Sequence, residues 1–120
     1  MSGLLIDTDV FSDYLLGRDE AADFLEYARD DLHLSVITLT ELGAKARGDA
    51  EWVALQAAAQ ALILHPVDAE VARSATKQRG KSLAHRLLAA TAQVHGLRIV
   101  AADRKAYPGC EVLVPYSRII

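Results

Sequence analysis

The chain has 120 residues with 13 basic and 16 acidic side chains, a formal net charge of −3, and a composition that is 52% hydrophobic and only 6% aromatic. That acidic balance excludes a nucleic-acid binder working through a broad basic face, although a carboxylate site filled by a cation reverses sign locally. No apolar run approaches the roughly 18 residues that span a bilayer, and Leu4-Leu5-Ile6 is too short for a signal-peptide core, so a cytoplasmic chain without membrane contact, forming a single domain over residues 1–120, is expected.

Cys110 is the only cysteine. It excludes an intramolecular disulfide and a thiolate metal cluster, and packing is its expected role.

Gly3 to Ile6 reads as a buried parallel strand, because Leu4, Leu5 and Ile6 are continuously apolar, as a strand covered on both faces requires. Asp7, Thr8 and Asp9 fall at its C-terminal edge, where open α/β sheets bind ligands. A helix from Asp9 to Leu16 then stops at Gly17. Capping is the ordinary use of acids in this place, but Thr8 or Asp9 can fill it. That leaves Asp7 as the functional candidate, since a carboxylate behind a buried strand is costly unless it is paired or holds a metal.

A second helix is expected from Asp19 to about Arg29, with Ala22, Phe24, Leu25 and Ala28 inward, and a second strand from Leu32 to Ile37. Thr38 starts the next helix. Glu41 stands three residues later in capping-box spacing, and like Asp7 it lies just beyond a strand. Lys45 and Arg47 follow, as partners of the helix dipole or as RNA contacts.

Gly48-Asp49 marks a break before a helix from Ala50 to Ala61 that carries Trp52. Leu62 to Leu64 is the third strand, closed by His65-Pro66, and Asp68 caps a helix whose apolar stripe is Val71, Ala72 and Ala75. Lys77, Arg79 and Lys81 cluster around Gly80, either as a solvated helix end or as a phosphate contact. Ser82 caps a helix from Leu83 to His95 that Gly96 ends. Leu97 to Ala101 is the fourth strand, and Asp103 again places a carboxylate just past a strand. A short strand from Glu111 to Val114 and a tail from Tyr116 to Ile120 complete the chain.

This alternation predicts an α/β fold, a three-layer α/β/α sandwich around a mostly parallel sheet of four to five strands. Asp7-Thr8-Asp9 stands where a dinucleotide-binding fold has its glycines, which argues against that fold. Asp7, Glu41 and Asp103 come from separate crossovers and are expected to converge at one sheet edge. Their mutual repulsion calls for a hard cation. Mg2+ or Mn2+ suits an oxygen-rich set without thiolates, and hydrolysis by a metal-activated water follows.

Four segments, Leu5-Ile-Asp-Thr-Asp-Val-Phe11, Ser35-Val-Ile-Thr-Leu-Thr-Glu-Leu42, Leu87-Leu-Ala-Ala-Thr-Ala92 and Ile99-Val-Ala-Ala-Asp-Arg104, stand in an order and spacing that resembles the PIN domain. More narrowly, the chain resembles the VapC-type toxins of bacterial and archaeal toxin–antitoxin pairs. The resemblance implies a Mg2+- or Mn2+-dependent endoribonuclease acting on RNA. It also implies a homodimer held inactive by a cognate antitoxin, whose amphipathic tail lies in a helix groove. It assigns Asp7, Glu41 and Asp103 to the family's acidic metal positions, and Thr8 and Asp9 to its small polar supporting positions.

One position departs from the pattern: His85 stands where the family has an Asp. Three functional consequences remain open, namely a nitrogen ligand that shifts metal preference, a general base or phosphate donor, and a disabled site. A plain hydrogen-bonded core histidine is the fourth reading. The rival function is a PIN-fold module that binds antitoxin or RNA without turnover. His33, His65 and His95 read as surface residues.

Overall fold

The structure is a computed structural model that describes residues 3–117; the expected tail beyond Ser117 lies outside the described residues. Strands β1 (Gly3–Ile6), β2 (Asp31–Ser35), β3 (Ile63–His65), β4 (Arg98–Val100) and β5 (Val112–Leu113) pair in the order β3-β2-β1-β4-β5, all in parallel. The helices are α1 (Thr8–Leu15), α2 (Asp19–Tyr27), α3 (Val36–Gly43), α4 (Asp49–Ala59), α5 (Ala69–Ala75) and α6 (Leu83–His95).

The pleat of β1 sorts these helices into two layers. Leu4 and Ile6 point to one face and pack with Val10 and Phe11 of α1, Leu25 of α2, and Leu55 and Ala59 of α4. Leu5 points to the other face and meets Leu88, Ala89 and Ala92 of α6. The small residues of α6 let α5 lie against it through Val71, Ala75 and Ala90. The architecture is therefore the expected α/β/α sandwich, with five parallel strands.

Two helix starts differ from expectation, and both differences bear on function. Strand β2 ends at Ser35, whose hydroxyl accepts the Ile37 amide at 3.0 Å, so α3 begins at Val36. Val36 and Ile37 suit a strand by composition, but they form the first turn of a helix whose Ile37 packs toward α6. Glu41 thus belongs to no capping box. In α1 the cap is Asp7 itself, whose Oδ1 accepts the Val10 amide at 2.9 Å. The caps Asp68 and Ser82 stand as expected, and Gly96 ends α6 in a left-handed conformation at φ 66°. A 3₁₀ turn at Arg104–Ala106 follows β4, with Asp103 as its cap.

From β1 the chain moves outward through β2 to β3, then returns to lay β4 on the opposite side of β1. This reversal opens a crevice at the C-terminal ends of β1 and β4. The Asp7 amide donates to the Val100 carbonyl at 3.0 Å, which sets Asp7 at the mouth of that crevice.

The three histidines read as surface residues in fact gather where β2, β3 and the end of α6 meet. His33 Nδ1 lies 2.7 Å from His65 Nε2, with ring centroids 5.0 Å apart and planes inclined by 16°. That separation fits two nearly coplanar imidazoles joined end to end, one donating N–H to the other, rather than face-to-face stacking. The His95 ring lies 4.2 Å from that of His65. Gly3 admits the arrangement, because a Cβ there would stand 3.0 Å from His33 Nε2 and 2.5 Å from Leu97 Cδ2.

Burial lowers the pKa of both His33 and His65, and the neighbouring imidazole of His95 lowers them further, while Asp31 partly offsets this at His33. The unfolded chain therefore takes up protons first, below the ordinary imidazole value of about 6.5. Stability from this cluster is complete above that value and falls as the pH drops through it. Urea midpoints measured from neutral pH into the acid range should decline more steeply for the native chain than for His33→Gln; equal slopes would place the acid sensitivity elsewhere.

Candidate functional site

At the crevice between β1 and β4 lies a pocket of about 320 Å³ whose walls come from four parts of the chain. The end of β1 and start of α1 supply Asp7, Thr8 and Asp9. Glu41 comes from α3, with Lys45 just beyond it; Ala84, His85 and Leu88 come from α6; Tyr107 comes from the segment after β4.

Asp7 is only 5% exposed, and the chain engages both of its oxygens. Oδ1 caps α1, and Oδ2 accepts the Tyr107 hydroxyl at 3.4 Å. Expecting a choice between capping and function was thus wrong for this residue: one carboxylate caps the helix and faces the pocket at once. Thr8 Oγ1 donates to Glu41 Oε1 at 2.6 Å and lies 3.0 Å from Oγ1 of the buried Thr38. A hydroxyl has one proton, so with Thr8 donating to the carboxylate, Thr38 donates to Thr8. This relay joins α3 to α1 and aims Glu41 at the pocket.

His85 sits in the first turn of α6. The cap Ser82 Oγ accepts the His85 amide at 3.2 Å and lies 2.8 Å from its Nδ1. The imidazole meets the Tyr107 ring edge to face, with centroids 5.3 Å apart and an interplanar angle of 81°. Burial and then the charge of Asp7 push the Tyr107 phenol far up, with Asp9 and Glu41 adding to the effect. Tyr107 is therefore a neutral donor throughout the physiological range. The sequence reading missed this residue, since a tyrosine between Ala106 and Pro108 resembles ordinary core; its only signal is a place four residues past Asp103.

The structure brings Asp7, Thr8, Asp9, Glu41 and His85 to one pocket and leaves Asp103 off its wall. Asp103 caps the 3₁₀ turn through the Lys105 amide at 3.0 Å, and its other oxygen pairs with Lys81 Nζ at 3.1 Å. The bond to Lys81 is the main reason its carboxyl lies below the usual range. Lys81, expected as part of a basic patch, is thus partly neutralised.

Among the described residues, no group of three or more His, Cys, Asp or Glu side chains converges to hold a metal ion. Mg2+, however, is commonly held by one or two carboxylates, with waters and substrate phosphate completing its shell. The pair Asp7 and Glu41 fits such a cation and does not fit a closed all-protein cage.

A second, larger cavity of about 410 Å³ lies beside the first, walled by apolar residues including Leu15, Leu16, Leu42 and Leu55. Leu16 is 82% exposed there. Lys45 lines both cavities.

A parallel α/β/α sheet with its acidic pocket at the β1/β4 crevice defines the class, and comparison with known proteins places the chain within it. A model of the PIN domain matches residues 4–108, and the chain belongs to the PIN-domain family. Among solved structures it is similar to a chain of a toxin–antitoxin complex from Klebsiella pneumoniae, with 26% identity and a TM-score of 0.83 over 95% of this chain and 98% of that one. FitAcB from Neisseria gonorrhoeae shares the fold at 24% identity and a TM-score of 0.73, over 93% and 97% of the two chains. VapBC2 from Rickettsia felis, bound to a DNA fragment from its promoter, does so at 14% identity and a TM-score of 0.76, over 92% and 97%. No curated protein sequence matches the chain.

The Thr38–Thr8–Glu41 relay has a measurable weight. Thr8→Val removes a hydrogen bond to a carboxylate and strips Thr38 of its acceptor, which should cost about 1–2 kcal/mol in urea unfolding. Thr8→Ser should recover most of that loss, and a Val variant as stable as the parent would show that the relay contributes little.

Proposed function

We propose that the chain is a divalent-cation-dependent endoribonuclease and the toxin of a toxin–antitoxin pair. The observation that carries this reading is the pair Asp7 and Glu41, two carboxylates from separate crossovers held at the walls of one pocket in the β1/β4 crevice. Membership of the PIN-domain family supports the same chemistry. Asp7 through Oδ2 and Glu41 would hold Mg2+ or Mn2+, which supplies an acidified water and neutralises charge on the phosphoryl oxygen when bound.

The chain's own groups then have distinct tasks. Thr8 keeps Glu41 aimed inward, Asp9 adds negative potential at the rim, and Lys45 offers an ammonium to the RNA phosphate. His85 closes the α6 side of the pocket. Asp103, held by Lys81 and the Lys105 amide, would add a third carboxylate to the cation only with its Lys81 pair broken.

The similar chain from Klebsiella pneumoniae comes from a toxin–antitoxin complex, which supports an antitoxin as partner. The 410 Å³ groove beside Leu15 and Leu16 suits the apolar face of an amphipathic antitoxin segment. The working form is a cytoplasmic homodimer.

A second reading, a binding module without turnover, is favoured by His85 at an acidic position and by Asp103 lying off the pocket wall. One experiment separates the two: cleavage of a mixed structured RNA pool by the antitoxin-free chain with Mg2+ or Mn2+, beside Asp7→Ala and His85→Asp. The parent should cut, and a chelator should stop it. Asp7→Ala should lose more than the roughly 100-fold that removal of an outer-shell partner costs. Cleavage by His85→Asp alone would establish the binding module, and retained cleavage in Asp7→Ala would sink the nuclease.

A further inference from the structure

We infer that His85 and Tyr107 form a positioning pair for the Asp7 carboxylate, in which the imidazole contributes its ring as a buttress rather than a nitrogen as a cation ligand. The inference rests on the cation-dependent reading of the pocket and gives a role to the one residue that departs from the family's acidic pattern.

The geometry runs in one direction across three elements. Ser82, the cap of α6, lies 2.8 Å from Nδ1 of His85, which fixes the ring in the helix's first turn. The ring stands edge to face against Tyr107 at 5.3 Å. Tyr107 is 2% exposed, in the cluster that holds Leu88, Ala101 and Ala106. Its hydroxyl reaches out of that cluster to Asp7 Oδ2.

The Val10 amide holds Oδ1 at 2.9 Å and the Tyr107 hydroxyl approaches Oδ2 at 3.4 Å. Two contacts on different oxygens, from different elements, act together on the plane of the carboxylate. Carboxylates that ligate metals are oriented by outer hydrogen bonds of this kind, whose removal typically weakens affinity by about 10–100-fold. The role of His85 passes through shape alone, because an edge-to-face contact between rings does not depend on a ligating nitrogen. A phenyl ring should serve in its place, which a nitrogen ligand would not allow.

Mn2+ affinity, read from the electron paramagnetic resonance signal of free Mn2+, tests the pair in the full chain. Tyr107→Phe should weaken binding roughly tenfold or more, His85→Ala should weaken it in the same sense, and His85→Phe should hold it within about threefold of the parent. Equal losses in His85→Phe and His85→Ala would make His85 a nitrogen ligand and overturn the inference, as would unchanged binding in Tyr107→Phe. Crystal structures of the metal-free parent, Tyr107→Phe and His85→Phe give a readout independent of any cation: Asp7 should turn in the first variant and stay in the second. A parent that binds no Mn2+ refutes the cation reading by itself. The crystal structures then decide the pair, and an unmoved Asp7 in Tyr107→Phe overturns it.

Discussion

The structure depends on how the buried carboxylate of Asp7 is satisfied. A carboxylate that is 5% exposed tolerates burial only when its oxygens are hydrogen-bonded. Here the two oxygens look in different directions. Oδ1 turns back to the backbone and starts α1, which sets the angle at which the chain leaves β1. Oδ2 looks into the crevice and meets Tyr107, which draws the segment after β4 against the end of β1. One side chain thus joins the start of a helix, the sheet switch point and the pocket. This makes the pocket part of the folding core rather than an addition to its surface.

The other side of the pocket is built by a different device. Glu41 is carried by α3, whose Leu39 and Leu42 pack against the core cluster of Leu4, Ile6 and Val100. The Thr38–Thr8–Glu41 relay ties it to the first residue of α1. Asp7 and Thr8 are neighbours, so Asp7 and Glu41 are both referenced to the same turn of backbone. Such a frame suits a cation that has strict demands on oxygen geometry.

The sheet and its helices were legible because their signals are redundant. Leu4-Leu5-Ile6 has the continuous apolar character of a strand covered on both faces, and Asp68, Ser82 and Gly96 mark helix ends with their own side-chain or backbone chemistry. The misplaced starts came from signals that two structures share. Val36-Ile37 has the composition of a strand, and only the cap at Ser35 shows that it is helix. Asp7, Thr8 and Asp9 are all competent caps, so the sequence could not say which one acts. On the pocket wall, Asp7 and Glu41 were singled out as carboxylates just past strands, and His85 only through the family resemblance. Tyr107 was not, because only its hydroxyl emerges from an otherwise buried ring. The histidine cluster escaped for a related reason: His33, His65 and His95 are far apart in the chain, and only the register of β2 against β3 brings the first two together.

The proposed action on RNA has to reconcile a net charge of −3 with a polyanionic substrate. Asp7, Asp9 and Glu41 give the pocket wall a negative potential, and among the described residues Lys45 is the one lysine or arginine on it. In the proposed cation-dependent reaction a divalent cation would invert that balance, so phosphate affinity would rise with cation occupancy. Lys45 also borders the apolar groove beside Leu16. One lysine thus stands at the border of an acidic pocket and an apolar groove.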